Sequence, residues 1–114
     1  MKIRRAIPLL PADDLNGVRE FYSGFLGFDV AMDEPGFMQF QSSSHPAVQI
    51  IVGNERGVDV ANVTVDVEDV DALHAEAVRR GLEIVYPLTD EPWGIRRFFV
   101  RAPNGTVVNV ASPR

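Results

Sequence analysis

Few side chains combine a type and a spacing that could do chemistry. There are two histidines, His45 and His74, and no cysteine. Without thiolates the chain has no disulfide, no thiolate zinc site and no cysteine nucleophile. His45 sits in an SSSHP turn and His74 in a helical pattern; each reads as a lone surface histidine. Asp66, Glu68, Asp69 and Asp71 crowd together, but they lack the fixed spacing and central glycine of a calcium loop. They read as a helix cap with a solvated face. No G-x-S-x-G elbow, P-loop or G-x-G-x-x-G fingerprint occurs, so no catalytic residue emerges.

Amides, aromatics and an arginine remain. Alternate residues of a strand share a face. Phe37 and Gln39 therefore fall together, as do Arg96 and Phe98, with Trp93 just ahead of them. Val63, Val65 and Val67 suit a helix-packed face, which leaves Asn62, Thr64 and Asp66 on the other; likewise Val108 and Val110 leave Val107, Asn109 and Ala111. Aromatic walls with an arginine and a few amides suit a planar, partly polar or anionic organic ligand. The candidate ligand-binding set is Phe37, Gln39, Asn62, Trp93, Arg96, Phe98 and Asn109. The plainer alternative makes Phe37, Phe98 and Phe99 ordinary core. Trp93 then closes a subunit interface, and backbone or water satisfies the two asparagines.

The elements that must position these residues come in two similar runs. Residues 3–10 read as a strand broken by PADD, where Asp13 or Asp14 can cap a helix. In the helical pattern LNGVREFYSGFLG, Leu15, Val18, Tyr22 and Phe25 share one face, widened by Phe21 and Leu26. Strands are predicted over 28–33, 36–41 and 46–52. After the polar GNERGVD stretch, a strand over 61–67 precedes a helix capped by Asp69, carrying Val70, Leu73 and Ala77 on one face and ended by Gly81. Strands over 83–87, 94–101 and 106–111 follow. DDLNGVREFY…LGFDV parallels EDVDALHAEA…RGLEIV. The fold class is therefore α+β, with two βαβββ modules in tandem forming curved mixed sheets with a concave cleft. Their boundaries are about 1–53 and 61–114, joined by a linker over about 54–60.

With 114 residues and a hydrophobic fraction of 46%, the chain can bury a proper core as one ordinary domain. A net charge of −5 with basic residues only in scattered pairs argues against a nucleic-acid partner. The apolar stretch near the N-terminus is short and interrupted by Pro8 and Pro11, which predicts no secretory leader. No run approaches the roughly 20 apolar residues of a membrane span. A cytoplasmic protein with no membrane partner is expected.

The segment IPLLPADDLNGVREFYSGFLGFDV resembles the opening of vicinal oxygen chelate proteins, and DVEDVDALHAEAVRRGLEIVYPLTDEPWGIRRFFVRAPNGTVVNVASP resembles their second half. The resemblance is to the glyoxalase/bleomycin-resistance/dioxygenase group, especially its bleomycin-resistance-like branch, and covers nearly the whole chain. Its most specific part is PWG-x-R…RAPNG, in which Ala102 replaces the aspartate usual in the family's D-P-x-G turn. It implies paired βαβββ modules, a homodimer, and ligand sites in concave sheets often shared between chains. The group contains metal-dependent lyases, isomerases and dioxygenases, and also metal-free proteins that sequester antibiotics. The positions of its metal ligands fall at Ile7, at Val48 or Gln49, at Asn62 and at Asn109. Ile7 cannot ligate, and the neutral amides are weak ligands for a transition metal. The sequence therefore predicts a cofactor-free and metal-free binding protein for a small organic molecule, of the bleomycin-resistance kind, rather than an enzyme. The alternative is a glyoxalase-like lyase/isomerase or a dioxygenase with a non-standard metal site.

Overall fold

A computed structural model describes residues 2–54 and 61–114. Apart from Asn54, the expected linker lies outside the described residues. The chain divides into two compact units, Ile7–Val60 and Met1–Ala6 with Ala61–Arg114. The first strand, β1 (Ile3–Pro11), gives its later residues to the former and its opening residues to the latter.

In the unit of residues 7–60, a helical turn is followed by β2 (Asp29–Glu34), β3 (Phe37–Gln41) and β4 (Gln49–Gly53). The strand order is β2-β3-β4-β1. β2–β3 and β3–β4 are antiparallel, and β4 runs parallel to β1 with Leu9 opposite Ile51. Met38, Phe40 and Val52 form the core, closed by Leu10, Leu15, Val18, Tyr22 and Phe28. The helix departs from expectation. Over Glu20–Phe25 it is π-helical, with Leu26 N–H donating to Phe21 O and Phe28 N–H donating to Tyr22 O. Widening the turn breaks the 3.6-residue period. Phe25 is consequently 74% exposed instead of buried, and Phe28 takes its place. Asp14 does not cap this helix; its carboxylate accepts from Asn16 N–H at 2.8 Å, ahead of the first turn.

In the other unit, β5 (Val63–Val67) leads into α1 (Val70–Arg79), followed by β6 (Ile84–Asp90), β7 (Ile95–Arg101) and β8 (Val107–Pro113). The strand order is β1-β5-β8-β7-β6. β5 runs parallel to β8, whereas β8–β7 and β7–β6 are antiparallel. α1 forms as predicted: Asp69 caps it by accepting from Ala72 N–H at 3.0 Å, and Gly81 follows its end at φ +69°, a conformation that glycine adopts without strain. Its apolar stripe, Val70, Leu73 and Ala77, packs on Val67, Phe98 and Val110 of the sheet. The start of β1 is tied to the end of β5 by Arg4 Nη2 donating to Val67 O and by Glu68 N–H donating to Lys2 O. Each half thus carries strand, helix and three strands in the expected order, on a mixed sheet.

Candidate functional site

The face of the second-half sheet turned away from α1 carries an unusual polar row. In register across the strands stand Tyr86 on β6, Phe99 on β7, Asn109 on β8 and Thr64 on β5. With strands about 4.8 Å apart, the row spans about 14 Å. One step further along β7, β8 and β5 lie Arg97, Ala111 and Asp66, respectively. Phe99, Asn109, Ala111 and Asp66 are buried, whereas Thr64, Tyr86 and Arg97 are half-buried.

At one end of the row, the Tyr86 and Phe99 rings stack with centroids 4.9 Å apart. The Arg97 guanidinium lies 5.0 Å from the Phe99 ring and 5.3 Å from those of Tyr86 and Trp93. Its Nε donates to Glu91 at 2.7 Å, and the Tyr86 hydroxyl donates to the same carboxylate at 3.1 Å. The arginine is thus neutralised by an acid and sandwiched by rings that favour a cation. At the other end, Asn109 Nδ2 donates to Thr64 Oγ1 at 3.1 Å, and Arg5 Nε donates to Asp66 Oδ2 at 2.9 Å. Among the described residues, two buried side-chain oxygens accept no hydrogen bond, Asn109 Oδ1 and Asp66 Oδ1. The latter is still compensated in charge by Arg4 Nε at 3.6 Å. Asn109, only 6% exposed, is therefore the one group here with neither a partner nor a neighbouring charge for its oxygen. Such a group needs an explanation, because an unmet buried acceptor costs stability.

The sequence-predicted residues divide. Asn109 lies at the centre of the row, and Trp93 borders it, 63% exposed beyond Arg97. Asn62 precedes β5, and its amide oxygen accepts from Val107 N–H at 2.9 Å, in the manner of a backbone partner. Arg96 and Phe98 are on the opposite face. Phe98 is 1% exposed under α1, edge-on to His74, and Arg96 pairs with Asp71 and Asp90. Those two carboxylates, Asp90 first, raise the arginine's pKa. The wall expected from Arg96 and Phe98 is formed one residue along, by Arg97 and Phe99. Phe37 and Gln39 belong to the unit of residues 7–60, on the face away from Met38 and Phe40; Gln39 Nε2 donates to Gln49 Oε1 at 2.6 Å. Thr64, Tyr86, Glu91, Arg97 and Phe99 complete the patch, and Asp66 lies in it rather than on a solvated face. The alternation of IRRFFVR groups Arg96 with Phe98 and Arg97 with Phe99, and the pairing of Phe98 with Val110 on β8 puts the first set under the helix.

The chelating positions do not fit a divalent metal. Ile7 has no donor atom. Gln49, rather than the exposed Val48, lies within β4, and its oxygen already accepts from Gln39 while its nitrogen donates to Pro46 O at 2.8 Å. The Asn62 oxygen is committed to Val107, so each unit offers at most one neutral oxygen at these positions. Among the described residues no group of three or more His, Asp or Glu side chains gathers elsewhere.

Residues 5–110 match the family model of the glyoxalase/bleomycin resistance protein/dioxygenase superfamily. The chain belongs to that superfamily. No curated protein matches it. Solved structures of similar fold include a superfamily member from Vibrio splendidus 12B01, at 20% identity and TM-score 0.78, covering 97% of this chain and 99% of that one. A single-residue variant of methylmalonyl-CoA epimerase from Streptomyces coelicolor, in complex with 2-nitronate-propionyl-CoA, aligns at 19% identity and TM-score 0.70, covering 98% and 99%. An uncharacterized protein from Methanosarcina mazei aligns at 25% identity and TM-score 0.67, covering 100% and 95%. The superfamily match spans both halves of the chain and includes every member of the Tyr86–Phe99–Asn109–Thr64 row. Among the described residues no helix is long and apolar enough to cross a membrane.

Proposed function

We propose that this chain binds and sequesters a small organic molecule without a metal, as a homodimer of the bleomycin-resistance-like kind, on the face that carries Asn109. The observation behind this reading is the buried Asn109 amide with an unmet oxygen, directly across from an aromatic side chain in an otherwise paired patch. A bound molecule supplies the missing hydrogen bond and excludes water from the rings. The residues at the chelating positions support binding rather than Lewis-acid chemistry, because Ile7 has no donor atom and the Gln49 and Asn62 oxygens already accept hydrogen bonds, which leaves a single neutral amide oxygen, a weak ligand for a dication.

The test is a screen of flat aromatic compounds by amide proton–nitrogen correlation spectra. Binders are expected to move the resonances of Thr64, Phe99 and Asn109 together and to raise the melting temperature. Compounds that shift only exposed loops, or none that bind, would count against the reading. So would a stoichiometric divalent metal in protein purified without chelator, lost together with a turnover activity; that result would favour a lyase, isomerase or dioxygenase. Sedimentation equilibrium tests the dimer.

A further inference from the structure

Going one step beyond that reading, and resting on its placement of the ligand, we infer that the bound molecule carries a neutral amide edge, a lactam, ureide or carboxamide on a flat ring, recognised by Thr64 and Asn109. The hydrogen-bond inventory of the pair leads there. Asn109 Nδ2 donates to Thr64 Oγ1. That arrangement leaves Asn109 Oδ1 as an acceptor, and the second Nδ2 hydrogen and the threonine hydroxyl hydrogen as donors. Turning the amide over reverses the roles. The hydroxyl then donates to Oδ1, both N–H groups become donors, and the threonine oxygen accepts. In both states the pair offers at least one donor and one acceptor, a pattern that an amide edge complements.

Charge argues in the same direction. Asp66, Glu91 and Arg97 are the charged groups within the patch, and each faces an opposite charge. An anionic ligand would have to break one of these pairs in a place where an unpaired charge is costly. The arginine expected to select an anion, Arg96, is on the other face between Asp71 and Asp90. A neutral ligand needs no such rupture. Phe99, paired directly across from Asn109, gives the ring attached to the amide an apolar neighbour one strand away.

Calorimetric titration of the full chain with four flat bicyclic probes tests this: carbostyril (an aromatic lactam), quinoline (acceptor only), naphthalene (neither) and quinaldate (an anion). Carbostyril is expected to bind about tenfold more tightly than the other three. It alone should shift the Asn109 side-chain amide protons, a readout that needs no variant. In Thr64→Val/Asn109→Val, checked for fold by circular dichroism, carbostyril should fall to the affinity of naphthalene. Equal binding of all four probes, or quinaldate binding best, would overturn the amide assignment and leave the binding reading standing. If none of the four binds and the screen above also finds no binder, both fail.

Discussion

If a ligand is what completes the Asn109 amide, then removing the polar pair should stabilise the free protein while abolishing recognition. The single substitution Thr64→Val removes the acceptor of the 3.1 Å bond and leaves both ends of the Asn109 amide unmet. It forfeits a net hydrogen bond of about 1 kcal/mol and orphans a further buried group, for a loss of about 2 kcal/mol. Thr64→Val/Asn109→Val removes donor, acceptor and orphan together. It gives up the same bond of about 1 kcal/mol but recovers the roughly 2 kcal/mol cost of the unmet oxygen, and valine suits both strands. The double variant should therefore be more stable than the parent by about 1 kcal/mol, or about 4 °C in melting temperature for a chain of this size. Urea unfolding at unchanged m-value measures this, and the two single variants with the double give the coupling energy. A double variant as unstable as Thr64→Val would refute the reasoning, because it would mean the amide is fully satisfied in the free protein.

Three further outcomes are expected. Glu91→Ala removes the carboxylate that accepts from both Arg97 and the Tyr86 hydroxyl, in a site where the Arg97 and Glu91 side chains are only 12% and 9% exposed, and should cost about 2 kcal/mol in chemical denaturation. Asp69→Ala removes the acceptor for Ala72 N–H at the start of α1 and should cost about 1 kcal/mol, with the loss of hydrogen-exchange protection centred on the first turn. Glu76, hydrogen-bonded first by Arg79 and then by Arg80, is held down to a pKa of about 2 from 4.5. Because the folded value is the lower one, its contribution is present above pH 4.5 and is lost as pH falls through about 2. Carboxyl-carbon NMR titration should show that midpoint, rising to the ordinary carboxylate range in Arg79→Ala/Arg80→Ala.

The order of elements was legible because it depends on local signals. Asp69 with the Val70–Leu73–Ala77 stripe fixes α1, and the β-branched runs fix β5 and β8. What was not legible depends on geometry that has no local signature. The π-turn over Glu20–Phe25 follows from no propensity in LNGVREFYSGFLG, yet it rotates Phe25 out and Phe28 in. In the candidate site, IRRFFVR presents an arginine and a phenylalanine on each face, so a shift of one residue exchanges Arg96 and Phe98 for Arg97 and Phe99. Only the pairing of β7 with β8, Phe98 against Val110 and Phe99 against Asn109, decides which set meets the helix. Asn62 and Asn109 look equivalent as letters. They differ because one precedes its strand, where a side-chain oxygen can stand in for a backbone acceptor, and the other lies within its strand, where every backbone partner is already taken.

That last contrast bears on how a binding face arises on this fold. A buried amide in mid-strand has two ways to be satisfied: a neighbouring side chain, or something that is not part of the chain. Thr64 serves half of Asn109, and no described residue serves the rest. Asp66, two residues further along β5, is in the opposite situation, its charge met from two sides by Arg4 and Arg5. A sheet that needed only stability would place valine at position 109, as β8 does at Val108 and Val110. Keeping an amide there costs stability in the free protein, so its presence is best accounted for by a partner that returns that cost on binding.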